Sequence, residues 1–514
     1  MPGISKVYSA ELEGIEAKLI EVETDINVGL HSFNIVGLAD KALNEAKERV
    51  NSALKNIGVK APNKENRKIV INLAPADIKK AGSQYDLAIA LGYLLASKQI
   101  KEFKSDNKIF AGELSLGGQL RPIHGALSIA RLAAKKGFEE LYVPKVNAVE
   151  AAIIPGVRVI PVEHLHDLIA HLEEKKVLDQ QAETRIESVR DEAVETRVDF
   201  SEIKGQEHAK RALMIAAAGG HNLLMIGPPG TGKTMLAQAI GSILPDPALE
   251  EVIETTQIYS AAGALESRQL INTRPFRAPH HSASPVAVVG GGQNPKPGEI
   301  SLAHRGILFL DELPEFRRDL LESLRQPLES GRVVVSRAKH TLTFPAKFIL
   351  VAAMNPCPCG YYGDDEKPCR CGAHEVLRYQ KKVSGPLLDR IDIQIEVPRT
   401  KIGALRTASG EKSLSVEIRK KIAAARAAQS VRLAKHKIFT NSEMSSKLTD
   451  KMINLSPAAE QFITDILEKA MLSARGYYRV LKVARTIADL EGSEPVTEGH
   501  LAEAFSYRLK TAEA

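Results

Sequence analysis

Gly227-Pro228-Pro229-Gly230-Thr231-Gly232-Lys233-Thr234 follows the apolar run Leu223 to Ile226 and leads into a helical pattern. Strand, glycine-rich turn and helix in that order are the setting a phosphate-binding loop requires. The glycines let successive backbone N–H groups turn inward around phosphate oxygens, and the positive end of the following helix faces them. Gly227, Pro228, Pro229, Gly230, Thr231 and Gly232 form the cradle, Lys233 reaches the β and γ oxygens, and Thr234 is placed to ligate Mg²⁺. The chain is expected to bind a nucleoside triphosphate. The expected fold is α/β, a P-loop core on a parallel sheet.

Hydrolysis needs further groups. Ile307-Leu-Phe-Leu310 is a short apolar strand that ends in Asp311 and Glu312. There Asp311 is positioned to hold Mg²⁺, leaving Glu312 to polarise the attacking water, the Walker B arrangement. A second apolar strand, Phe348 to Met354, ends in Asn355, whose uncharged amide can orient water near the γ-phosphate, the sensor 1 position. Buried parallel strands read as continuous apolar runs, and open α/β sheets bind ligands beyond their carboxyl ends.

With 514 residues and 44% hydrophobic content, the chain has material for about three domains. Residues 1–172 alternate short β-like runs with amphipathic helices and read as a mixed α/β domain. Residues 173–197 are charged and read as a linker, 198–399 as the ATPase core, and 400–514, rich in Ala, Lys, Arg, Glu and Leu, as a helical lid. No basic n-region with an apolar h-region opens the chain, and no apolar stretch reaches the ~20 residues of a bilayer span, so a cytoplasmic location is expected. The formal charge of +6 permits a polyanionic partner without demanding one.

The four cysteines cluster as Cys357-Pro-Cys359 and Cys369-Arg-Cys371, joined by a loop containing Gly360, Gly363 and Pro368. Two such pairs can supply a thiolate set for a structural Zn²⁺, although the usual spacing is Cys-x2-Cys; free or redox-active thiols are the alternative. His374 is either a substitute ligand or a surface histidine beside the cluster.

Val198-Asp-Phe-Ser-Glu-Ile-Lys-Gly-Gln206 precedes the helix leading to the P-loop strand, where Ile203, Gly205 and Gln206 can border an adenine base. With the P-loop, Asp311-Glu312, Asn355 and the helical C-terminal part, this segment resembles the AAA+ ATPases. Within them the chain resembles the magnesium-chelatase-like branch of the YifB/ComM type. The matching stretches are Arg274-Pro-Phe-Arg-Ala-Pro-His-His-Ser282, Pro297-Gly-Glu-Ile-Ser-Leu-Ala-His-Arg-Gly306, Met354-Asn-Pro-Cys-Pro-Cys-Gly360 and Gly385-Pro-Leu-Leu-Asp-Arg-Ile-Asp392.

The resemblance implies ATP and Mg²⁺ as cofactors and a homo-oligomeric, hexameric ring. It makes Arg390 the arginine finger that reaches a neighbouring subunit's nucleotide. It makes Arg475 the sensor 2 arginine, with Arg479 as its rival. It also implies an ATP-driven DNA motor of helicase or branch-migration type in recombination or natural transformation. The alternative is the ATPase subunit of a magnesium or cobalt chelatase.

Val333 to Phe344 reads as a hairpin whose tip carries Arg337, Lys339 and His340, and a second insertion, Pro285 to Pro297, carries Lys296. In helicases resembling this chain such hairpins face the pore, where basic tips suit phosphate contacts on single-stranded or branched DNA. The other reading is a pair of surface hairpins whose charges keep edges soluble. Through Lys80-Ala-Gly-Ser-Gln-Tyr-Asp-Leu87 and Gly112-Glu-Leu-Ser-Leu-Gly-Gly-Gln-Leu-Arg-Pro-Ile123, the N-terminal domain resembles the proteolytic domain of Lon. Gln84 stands where that family has its serine and Leu127 where it has its lysine, so Ser83 lacks an activating base and proteolysis is not expected.

Overall fold

The computed structural model describes residues 4–37, 41–64, 66–78, 80, 82–185, 198–265, 269–292, 295–336, 341–400, 414–436, 438–470 and 473–508. They form two compact units, one of residues 1–191 with 249–272 and one of 192–248 with 273–514. Of the charged stretch 173–197, residues 186–197 lie outside the described residues.

The first unit is built on a seven-stranded mixed sheet. Its order is Ser32–Val36, Arg67–Ala74, Glu16–Val28, Ser5–Glu13, Lys108–Phe110, Glu140–Pro144 and Arg158–Val162. In the long strand Glu16–Val28, residues Ile20, Val22, Thr24 and Ile26 are buried while their neighbours are not, the period-2 signature of a sheet with one covered face. The helix Asp86–Ala96 lies against this sheet almost wholly buried.

The helix Leu249–Ala262 also belongs to this unit, although its place in the chain had assigned it to the ATPase core. The reason is local chemistry. Val252 shares an apolar cluster with Leu127 and Ile129. Ser260 Oγ accepts from the Gly125 N–H at 3.0 Å, Gln257 Oε1 accepts from Arg131 at 3.1 Å, and Gln257 Nε2 donates to the Ile15 carbonyl at 2.7 Å.

The second unit holds a five-stranded sheet with every adjacent pair parallel, in the order Phe276–Arg277, Ile307–Leu310, Ile349–Met354, Leu223–Ile226, Ile393–Glu396. All residues of Ile307–Leu310 and Ile349–Met354 are buried, as their unbroken apolar sequences anticipate. Because the strands are parallel, the P-loop, Asp311 and Asn355 all emerge at the same edge.

The C-terminal helices share one continuous apolar core with the sheet, rather than enclosing one of their own. Helix Leu414–Leu433 packs on Glu207–Gly219 and Lys233–Ile243, where Ala212, Ala216, Ala217 and Ala425 permit close approach. Arg426 caps that contact by donating to the Ala217 carbonyl at 2.6 and 3.1 Å. An alanine-rich helical segment has too little side-chain volume for an independent core, so it borrows the sheet's.

Candidate nucleotide site

The loop from Gly227 to Thr234 is shaped by backbone conformations that suit glycine. Gly230 and Gly232 have φ of 79° and 83°, and a Cβ on Gly227 would lie 2.2 Å from the Val397 carbonyl oxygen. Lys233 opens the helix Lys233–Ile243 and curls back into the loop, donating to the carbonyls of Gly227 and Pro228 at 2.8 Å each and to Asn355 Oδ1 at 3.3 Å. Burial lowers the pKa of its ammonium, and the charges of Asp311 and Glu312 oppose that shift. Thr234 Oγ1 donates to Asp311 Oδ2 at 2.7 Å. The donor set therefore fits a magnesium-bound triphosphate: a hydroxyl and a carboxylate stand adjacent for the cation, and a cradle of N–H groups and one ammonium stands ready for the phosphates.

Glu312 departs from ordinary backbone geometry, with φ of 51°. A non-glycine residue held there costs on the order of 1–3 kcal/mol and is found preferentially at functional sites. The Glu312 N–H donates to Asp311 Oδ1 at 2.9 Å, which stabilises the turn. Glu312 Oε2 lies 3.6 Å from His281 Nδ1, and the His280 and His281 rings are 4.1 Å apart. Nothing in the residues around His281 sets it beside Glu312; that proximity is a product of the fold.

Glu312 and Asn355 also line a cleft of about 490 Å³ with Pro358, Arg378, Tyr379 and Lys382. Nothing in the sequence announces the cations Arg378, on the helix Ala373–Gln380, and Lys382, just beyond it, as neighbours of the strand ends. A second cavity, of about 630 Å³, brings Gly205 and Gln206 together with Ile395, Pro398 and Thr400. Gln206 Nε2 donates to the Pro398 carbonyl at 2.6 Å, one residue beyond the Val397 that abuts the P-loop, while Ile203 is buried.

The arginines separate clearly. Arg479 Nη1 binds Asp392 Oδ1 at 2.7 Å, and Asp392 Oδ2 lies 3.3 Å from both His221 Nδ1 and the Asn222 backbone nitrogen. Burial alone would raise the Asp392 pKa, but Arg479, His221 and Lys482 outweigh it and hold the carboxyl below the usual aspartate range. Arg479 is thus engaged in packing. Asp392→Asn should lower unfolding stability by about 3 kcal/mol, since it strands buried cations, and thermal or urea unfolding reads this directly. A depressed carboxyl contributes stability above its unfolded pKa and loses it on acidification, so the difference between wild type and variant should shrink as pH falls.

Arg475, in the first turn of the helix Ala474–Leu490, is exposed and lies 3.6 Å from Glu329. Arg390 meets the same carboxylate at 2.9 Å and donates to the Pro386 carbonyl at 2.6 Å. Its side chain is only 5% exposed, and its Nε has no hydrogen-bond partner. Glu329 thus holds both arginines within one protomer.

The stem of the first basic hairpin is present, Arg332–Ser336 paired antiparallel with Thr341–Pro345, but Arg337, Lys339 and His340 lie outside the described residues. Lys296 is exposed on the short ladder that pairs Gly290–Gly291 with Lys296–Pro297. The four cysteine sulfurs converge, and all lie within 4.8 Å of one another. His374 is exposed and is not one of that group. In the first unit Ser83 Oγ hydrogen-bonds Glu113, Gln84 Nε2 donates to Glu11 at 3.0 Å, and Leu127 is wholly buried.

A P-loop followed by Asp-Glu and Asn strand ends on a parallel sheet, with C-terminal helices packed behind, defines an AAA+ ATPase. Family models for the magnesium chelatase subunit ChlI match residues 22–147 and 199–405, and a model of the ChlI C-terminal part matches 412–508. The competence protein ComM of Haemophilus influenzae is 44% identical over 502 residues, spanning 98% of this chain and 97% of its own. YifB of Escherichia coli K12 is 44% identical over 507 residues, with the same coverage. The magnesium-chelatase 38 kDa subunit of Acidiphilium rubrum is 27% identical over 332 residues, covering 59% of this chain and 87% of its own. The chain belongs to the YifB/ComM type of magnesium-chelatase-like AAA+ ATPases. That family uses ATP and Mg²⁺ and often forms oligomeric rings. No helix among the described residues is long and apolar enough to cross a membrane.

Proposed function

We propose that this protein is a ring-forming, ATP-driven motor on DNA, of helicase or branch-migration type. The observation that carries the reading is the meeting of Lys233, Thr234, Asp311, Glu312 and Asn355 at one sheet edge. In this reading Thr234 and Asp311 would hold Mg²⁺, which would supply positive charge to the triphosphate. Glu312 orients and deprotonates the attacking water, Asn355 fixes that water against the γ-phosphate, and Lys233 leaves the loop carbonyls for phosphate oxygens. Arg475 approaches the nucleotide of its own protomer. Arg390 completes the pocket of a neighbour.

Near full-length likeness to a competence protein supports DNA as the partner, as do the basic residues Arg337, Lys339 and His340, which in sequence lie between two paired strands, and Lys296. Contacts of this kind bind phosphates and are sequence-independent. ATP turnover of the purified protein should therefore rise on addition of single-stranded or branched DNA. Replacing Arg337 and Lys339 with alanine should weaken DNA binding and flatten its salt dependence, by about 0.7 (single strand) to 0.9 (duplex) in the log–log slope for each phosphate left without its cation. Turnover indifferent to every DNA tested, but raised by a tetrapyrrole-metallating partner, would move the protein to the chelatase reading.

A further inference from the structure

We infer that Cys357, Cys359, Cys369 and Cys371 form a tetrathiolate site for one structural Zn²⁺, and that this site braces the Asn355 turn against the P-loop. The Sγ atoms of Cys357, Cys359 and Cys369 are separated by 3.4, 3.6 and 3.6 Å, with Cys371 inside the same 4.8 Å group. Four thiolates at about 2.3 Å from a tetrahedral Zn²⁺ stand about 3.8 Å from each other. Disulfides require about 2.05 Å, and all four cysteines are free. Thiols are weak donors and weak acceptors, so four of them gathered with Cys357 wholly buried gain little from one another. A shared cation explains the convergence. A multi-iron cluster would spread its thiolates further apart than a single ion does.

The loop between the pairs is closed by its own bonds. Gly360 and Gly363 turn it with φ of 85° and 77°. Asp364 accepts from the N–H groups of Glu366 and Lys367 at 2.8 and 2.9 Å and from Arg399 Nε at 2.7 Å. Lys367 and Arg399 both lie over the Tyr361 ring. The second Cys-x-Cys is thereby held over the first, which compensates for the short spacing within each pair. The Cys371 N–H also donates toward Cys369 Sγ, at 3.4 Å.

The bracing role follows from position, and it rests on the ATPase reading of Asn355. Cys357 stands two residues beyond Asn355, whose amide touches Lys233 at 3.3 Å. Gly360 is so close to the P-loop that a Cβ there would lie 2.7 Å from Pro229 Cδ. On the other side, Arg399 joins the loop to the chain just past Pro398, the acceptor for Gln206. Metal loss would loosen the sensor turn and the base-side segment together.

Elemental analysis of the purified full-length chain should find about one zinc per chain, and the Cys357→Ser/Cys369→Ser variant should have none. If that variant fails to fold, titrating the wild type with a mercurial in the presence of a zinc-sensitive dye should release zinc in step with thiol modification. Protein grown with Co²⁺ should show the visible bands of tetrahedral thiolate coordination. Four thiols reacting freely in native, zinc-free protein would overturn the site, and iron in place of zinc would overturn the metal assignment. Metal content is read without nucleotide, so it stands or falls independently of the ATPase. Zinc release that leaves ATP turnover unchanged would overturn the bracing role.

Discussion

Glu312→Gln should lower kcat for ATP by about 10²–10⁴ while leaving nucleotide affinity within a few-fold, because general-base assistance is lost and the phosphate contacts are kept. Three features single out this carboxylate over Asp311. Asp311 already accepts from Thr234 Oγ1 at 2.7 Å, the hydroxyl that in this proposal shares the cation with it. The left-handed turn at Glu312 sends its side chain elsewhere, into the cleft shared with Asn355, Arg378 and Lys382. His281 lies 3.6 Å from it, close enough to orient it. Single-turnover hydrolysis, measured alongside equilibrium binding of a fluorescent ATP analogue, separates the two effects. Rapid turnover by the variant would remove Glu312 from its role, and loss of binding would mean that it holds the nucleotide instead.

Arg390→Ala should have a comparable or larger effect, about 10³–10⁵ in kcat by analogy with other arginine fingers, with ATP binding by each protomer intact. In the isolated protomer Arg390 is turned inward onto Glu329, its Nε unpaired, and Arg475 leans on the same carboxylate. A buried guanidinium with an unsatisfied N–H is costly to keep, which lowers the barrier to its redeployment. Assembly would release both arginines from Glu329, Arg390 to the nucleotide of the neighbour and Arg475 to that of its own protomer. Because Arg390 is mostly buried, its replacement can also loosen packing, so the melting temperature is measured with the rate. A kcat loss at unchanged stability supports the finger, and a parallel loss of both would make Arg390 a packing residue.

The sequence was most legible where chemistry coincides with the end of an apolar strand. The P-loop, Asp311 and Asn355 each follow a run whose burial matches its composition, and a parallel sheet delivers such ends to one edge. It was least legible where tertiary approach decides. His281, Arg378 and Lys382 reach the site from segments whose own periodicity carries no sign of it. Helix Leu249–Ala262 lies between P-loop and Asp311 in sequence but packs with the first unit, because Val252, Gln257 and Ser260 find partners there. The C-terminal helices read as a separate lid, yet their small side chains made them share the sheet's core. The choice between Arg475 and Arg479 could not be read from one turn of helix, whereas the pairing of Arg479 with Asp392 decides what Arg479 touches.

Each hydrolytic pocket, in this account, is assembled from two protomers, Lys233 and Glu312 from one and Arg390 from the next. Mixing two inactive variants, Lys233→Ala and Arg390→Ala, tests this most directly. In a mixed ring some interfaces pair an intact P-loop with an intact finger, so ATP turnover should rise well above that of either variant alone. If the mixture co-assembles and stays as silent as its components, each pocket is built within a single chain and the account is contradicted.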